Sequence, residues 1–200
     1  MRILLPLSLL ALVVVIAGCG GGGDGGQADA VTTKPVGLPT GLVVPQLTGT
    51  PQTITATKTS AAPGDQLLIE GYIGGSADPF VDDLAAFTIV DTGQVKPCDA
   101  KADDQCPQPW DFCCSPREKI TAASATVQVV DDAGVVIPAG LRGYAGLRPG
   151  GRVLVAGTVS QADNGLLVVN ADAVQLTAAA PQSAAAPASA CGSGGCGSCE

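Results

Sequence analysis

The sequence predicts an all-β protein built around a small closed barrel, and three observations carry that expectation. Five runs of four to eleven residues are rich in β-branched side chains, alternate in hydropathy and end at Gly, Asp or Pro. Two of them, Leu67-x-Ile69-x-Gly71-x-Ile73 and Val153-x-Val155-x-Gly157-x-Val159, place a glycine at the same point of an apolar alternation. A glycine inside a strand removes a side chain where a sheet coils sharply or another backbone comes close, as a small barrel requires. Finally, nothing beyond the N-terminal apolar run has a helical period. Leu141, Tyr144 and Leu147 come nearest, but Gly143 and Gly146 interrupt them.

Taken in order, the first run sets Leu67, Ile69 and Ile73 on one face and Leu68, Glu70 and Tyr72 on the other. The second is Phe87-Thr88-Ile89-Val90-Asp91, and the third covers residues 125–131 with Val127 and Val129 on one side. The fourth is centred on Gly157. The fifth, residues 166–176, changes parity: Leu167, Val169 and Ala171 share a face, whereas Val174 and Leu176 fall in the opposite phase. A bulge near Asp172 would turn the later residues back inward.

The order LLIEGYIG, FTIVD, ATVQVVD, an Arg-Pro-Gly-Gly turn into VLVAGTVS, and LLVVNADAVQL resembles the OB-fold over residues 64–177. The fold class is therefore a small five-stranded OB-like barrel; a β-sandwich of similar strand count is the alternative. The resemblance implies a ligand face formed by the second and third strands with the loops joining strands one to two and four to five. Here those loops read GGSADPFVDDLA and QADNG, acidic and without lysine or arginine, so the family's nucleic-acid role is not expected. Asp78, Asp82, Asp83 and Asp163 on these loops lack the DxDxDG pattern of a calcium loop and read as solvated surface.

At the N-terminus, Met1-Arg2 supplies charge, residues 3–16 are almost wholly apolar, and Ile16-Ala17-Gly18-Cys19 closes the segment. That closing tetrapeptide resembles the lipobox of bacterial lipoproteins. The resemblance implies a signal peptide over residues 1–18, removed after a diacylglyceryl group is added to Cys19. Burial of each acyl methylene contributes about 0.8 kcal/mol, and two or more chains make a stable anchor. Gly20 stands where the Gram-negative family uses aspartate for inner-membrane retention, which favours the outer membrane. Residues 19–51, rich in Gly, Pro and Thr, read as the lipidated cysteine and a flexible tether. The folded domain is expected over residues 52–178. Residues 179–200 read as a disordered Ala/Pro/Ser spacer and a Cys/Gly tail.

Composition excludes several function classes. A net charge of −8 and a pI near 4.3 argue against nucleic acid and against charge-driven attachment to anionic lipid. The chain has no histidine, which rules out Ser-His-Asp and Cys-His catalytic sets and the HExxH zinc helix. No enzyme is expected.

The chemically pointed residues are cysteines. Between the second and third runs lies an insert, residues 92–122, holding Cys98, Cys106, Cys113 and Cys114 beside Trp110 and Phe112. Concentrating scarce aromatics beside four thiols suggests a miniature core and a contact surface at Trp110 and Phe112. In an oxidising compartment the four thiols are expected to form disulfides, of which three pairings exist. The competing reading is a thiolate site for zinc or copper, but the C-x7-C-x6-C-C spacing lacks the CxxC knuckle of zinc ribbons. Cys191, Cys196 and Cys199 in the tail are candidates for thiol chemistry, metal capture or a covalent link to a partner. The expected function is a non-enzymatic envelope lipoprotein, membrane-anchored, that binds an envelope protein or a small ligand through the barrel. The expectation includes no cofactor beyond the lipid. A thiol-based metal or redox protein, with zinc or copper on the insert and tail cysteines, is the alternative.

Overall fold

The computed structural model describes residues 37–98, 106–163 and 165–178 of the 200-residue chain. The elements run β1 (Gln52–Thr53), α1 (Ile54–Ser60), β2 (Gln66–Ile73), β3 (Ala86–Val90), α2 (Arg117–Ala123), β4 (Ser124–Gln128), a 3-10 turn (Tyr144–Gly146), β5 (Arg152–Asp163) and β6 (Leu166–Ala178). Strand β2 pairs antiparallel with both β3 and β5, and β3 pairs antiparallel with β4. Strand β6 lies parallel to β4 and antiparallel to β5, which closes a ring of five strands. One closed sheet, rather than two stacked ones, is the OB-like barrel and not the sandwich. The two-residue β1 adds parallel to β2 outside the ring.

The kinks fall where the alternation places them. A Cβ on Gly71 would lie 2.8 Å from Cβ of Ile89, and one on Gly157 would lie 2.2 Å from the carbonyl oxygen of Asn170. Along β6, Ala156 pairs with Ala173 and the next residue, Gly157, with Ala171, so Asp172 is bulged out of the ladder. The bulge restores the inward phase: Leu167, Val169 and Val174 are all buried, and Asp172 is exposed. Ile69, Ile73, Phe87, Ile89, Val127, Val153 and Val155 complete the barrel interior.

Three features depart from the sequence reading. Two seven-residue helices form where no helical period was visible. Helix α1 starts because the Thr53 hydroxyl accepts from the Ala56 amide at 3.2 Å, and it buries Ile54 and Thr57, one contact per turn. Seven residues make too few turns to register as a period. Helix α2 occupies the end of the insert, with Glu118 in the first turn, where its charge suits the helix dipole. The third departure is the tether, which ends earlier than expected. Leu42 is 1% exposed, Val174 donates to the Leu42 carbonyl at 2.7 Å, and Val44 donates to the Val174 carbonyl at 2.9 Å. Residues 37–51 therefore belong to the folded domain, because Leu42 fills a place in the barrel core that no strand supplies. The signal segment, Cys19 and the tail cysteines Cys191, Cys196 and Cys199 lie outside the described residues.

Candidate functional site

The insert leaves β3 through Asp91, a mostly buried carboxylate with a partner for each oxygen. Oδ1 accepts from the Gly93 amide at 2.9 Å and Oδ2 from the Thr55 hydroxyl at 2.9 Å, fixing the exit turn against α1. Further along, the Cys98 amide donates to the Asp111 carbonyl at 2.9 Å, drawing the two arms of the insert together. The miniature core exists and is shared with the barrel's outer face: Phe112 packs with Tyr72, Val90, Val95 and Ala123. Its ring meets that of Tyr72 edge-on, with centroids 5.9 Å apart and an interplanar angle of 83°. Phe112 is 0% exposed, so it is a core residue and not a contact surface. Trp110 is half-buried and donates its indole N–H to the Ala77 carbonyl at 2.9 Å. The chain passes so near β2 that a Cβ on Gly74 would lie 2.5 Å from the Trp110 carbonyl oxygen.

This docking gathers the insert sulfurs. Cys98 is present as a thiol, and the sulfurs of Cys98, Cys113 and Cys114 all lie within 4.8 Å of one another. The Cys98 and Cys113 sulfurs are 3.4 Å apart, and those of Cys106 and Cys113 are 3.8 Å apart. Cys98 is buried, Cys106 half-buried and Cys113 exposed, so the group runs from the interior to the surface. Burial pushes the Cys106 thiol above its usual value, while hydrogen bonds with the Gln108 backbone and the Cys113 side chain pull the other way.

Beside the sulfurs opens a cleft of about 600 Å³. Its floor is the outward face of β3 and β4, where Thr88 and Thr126 stand opposite each other across the ladder. One end is the loop after β2, with Gly75, Ser76 and Ala77; the other is the β5–β6 turn, with Gly165, Leu166 and Leu167. Asp111, Cys113 and Ser115 of the insert and Arg117, Ile120 and Thr121 of α2 make the wall. Among the acidic loop residues, Asp78 pairs with Arg142, whose guanidinium lies 5.2 Å from the Phe80 ring centroid; Asp82 and Asp83 are exposed.

The sequence reading placed the cleft's floor and ends but missed its cations. Both loops lack lysine and arginine, yet Lys58 arrives from α1 and Arg117 from α2. Lys58 Nζ donates to the Thr121 carbonyl and to the Gly165 carbonyl, each at 2.7 Å, and so ties α1, α2 and the β5–β6 turn together. Its only advance signal was a lone lysine in a threonine-rich segment. Burial holds the Lys58 ammonium below the usual lysine value of 10.5. A depressed lysine pKa means that, between the folded value and 10.5, the unfolded chain holds the proton that the folded chain has released. Stability attributable to Lys58 therefore rises with pH across that window. Chemical denaturation of wild type and Lys58→Met between neutral pH and 10.5 should show the difference between them grow in favour of wild type as pH rises. A pH-independent difference would contradict the assignment.

Comparison of the chain with protein-family models, with curated proteins and with solved structures finds no match.

Proposed function

We propose that the chain is a lipoprotein of the bacterial envelope, held to the membrane through acyl chains on Cys19, whose barrel binds a small polar ligand bearing an anionic group. The apolar run at residues 3–16 and the Ile16-Ala17-Gly18-Cys19 junction support the anchor. The cleft on β3 and β4 is the observation that carries the binding role. Strand faces floor it with hydroxyls, and it has three charged side chains, Lys58, Arg117 and Asp111. That balance leaves one net positive charge on a chain whose total is −8, a local reversal suited to an anionic group. Thr88, Thr126, Ser115 and Ser124 supply donors and acceptors, and Ala125 and Leu167 supply apolar contact, the usual make-up of a small-molecule site. This make-up supports binding as the role of the cleft.

The test is an amide-shift titration of detergent-solubilised, isotope-labelled full-length protein with inorganic phosphate, succinate and glucose in turn. The anions should shift Thr88, Thr126 and Gly165 in a saturable manner, glucose should leave them in place, and Arg117→Glu should abolish the response. Shifts that ignore probe charge, or none at these positions with any anion, would overturn the assignment of the cleft.

A further inference from the structure

We propose that a second cavity, on the outer face of β2 beside the start of the insert, binds a free α-amino acid with a small side chain. The site stands apart from the cleft on β3 and β4, with which it shares no lining residue. The cavity measures about 320 Å³ and is lined by two carboxylates, Glu70 and Asp91, and two cations, Lys96 and Arg152. Among the described residues, none of these four charges forms an ion pair, although all of them line one small space. Two charges of each sign suit a zwitterion. An amine or a carboxylate alone would satisfy one pair and leave the other unmatched.

Asp91 points to the ligand most directly. It is 8% exposed, and burying a carboxylate is costly unless a cation accompanies it. Its two donors, the Gly93 amide and the Thr55 hydroxyl, are both neutral. Each takes one oxygen, whereas an ionised carboxylate accepts about four hydrogen bonds, so capacity for an ammonium group remains. Because residue 93 is glycine, no side chain crowds Oδ1 there; a Cβ would lie 3.0 Å from it. The opposite charge is held close by. Arg152 donates to the Thr92 hydroxyl at 3.2 Å, and its guanidinium lies 5.7 Å from the Tyr72 ring centroid. Thr92 follows Asp91 directly, so one turn of chain presents a carboxylate and steadies a guanidinium. Across the β2–β5 ladder Tyr72 pairs with Arg152 and Glu70 with Leu154. Glu70 and Arg152 are therefore diagonal neighbours on the outward face, about 7–8 Å apart between backbones. The ligand ammonium is assigned to Asp91 and Glu70, and its carboxylate to Arg152 and Lys96. A cavity at the lower end of ligand-site volumes limits the side chain to a small one.

The experiment titrates detergent-solubilised, isotope-labelled full-length protein at neutral pH with L-alanine, acetate and methylammonium in separate runs. The amides of Glu70, Thr92 and Gly93 report. L-Alanine should shift them in a saturable manner. Acetate and methylammonium should each bind at least about tenfold more weakly, because each forgoes one set of charge-assisted hydrogen bonds. Glu70→Gln and Arg152→Gln, both at exposed positions, should each weaken L-alanine binding by about tenfold. Both should leave the anion response at Thr88 and Gly165 as it is in the wild type. Asp91→Asn should weaken L-alanine binding too, with circular dichroism to check its fold; the two exposed variants preserve the test where it unfolds. The site is overturned by the absence of a saturable shift with L-alanine, or by acetate or methylammonium binding as tightly as L-alanine. Unaltered affinity in both exposed variants overturns it as well.

Discussion

Gly157→Val is expected to cost the barrel about 3 kcal/mol, the upper end of what overpacking a filled site brings. The reason is what the new side chain meets. A Cβ there would lie 2.2 Å from the Asn170 carbonyl oxygen and 3.0 Å from the Ala171 Cα, both main-chain atoms of the adjacent β6. Backbone cannot rotate aside as a side chain does, so relief requires parting the β5–β6 ladder beside the Asp172 bulge. Gly71→Val should cost less, about 2 kcal/mol, because its neighbour is the Ile89 side chain. Gly37→Val should be silent, since nothing lies within 4 Å of that position. Urea midpoints of the three variants, at unchanged slope, measure the order directly. Equal tolerance at positions 157 and 37 would show that the strands do not cross as described.

Cys19→Ser, exported behind a signal peptide whose cleavage needs no lipidated cysteine, is expected to move the protein from the membrane pellet to the soluble fraction. The whole anchor is asked of one sulfur. The chain is acidic, which denies it electrostatic help from anionic headgroups, so removing the acyl chains leaves nothing of comparable strength. Serine keeps the size and polarity of the site but offers no thioether. Fractionation of cells expressing each form, together with the mass of the mature N-terminus, checks the result. Continued sedimentation of the serine variant with membranes would remove the lipid from the account.

Much of the barrel was legible because its strands obey a period of two under strong constraint. Ile69, Ile73, Val153, Val155 and Val159 reach the core as the alternation requires, and the parity change at Asp172 betrayed a bulge that is there. What stayed hidden was short or non-local. Seven-residue α1 is set by a Thr53 cap and two buried contacts, too little for a periodic signal. Residues 37–51 read as linker by composition, yet buried Leu42, with Leu38 and Val43 packed against the same cluster, commits them to the core. Phe112 looked like a surface because aromatic residues beside thiols suggest contact, but its burial follows from Tyr72, an outward residue of β2 that itself needed cover. The site's cations were invisible for another reason: Lys58 and Arg117 lie 59 positions apart in the sequence. Only the way α1 and α2 flank the β5–β6 turn brings them to one cleft.

The flank of β3 carries one more consequence. Its partner β2 reaches only Val90 and Ile89, which would leave the start of the strand with bare amides and carbonyls. Instead, the Thr88 amide donates to the Pro79 carbonyl and the Val81 amide to the Ala86 carbonyl, each bond spanning 2.8 to 3.0 Å, and Phe80 bridges to Phe87. Under the proposed membrane anchor, copies of the chain would meet at high local density, and a naked strand margin there would template stacking of one molecule on the next. With that margin sealed by its own loop, neighbours can crowd without fusing into fibrils.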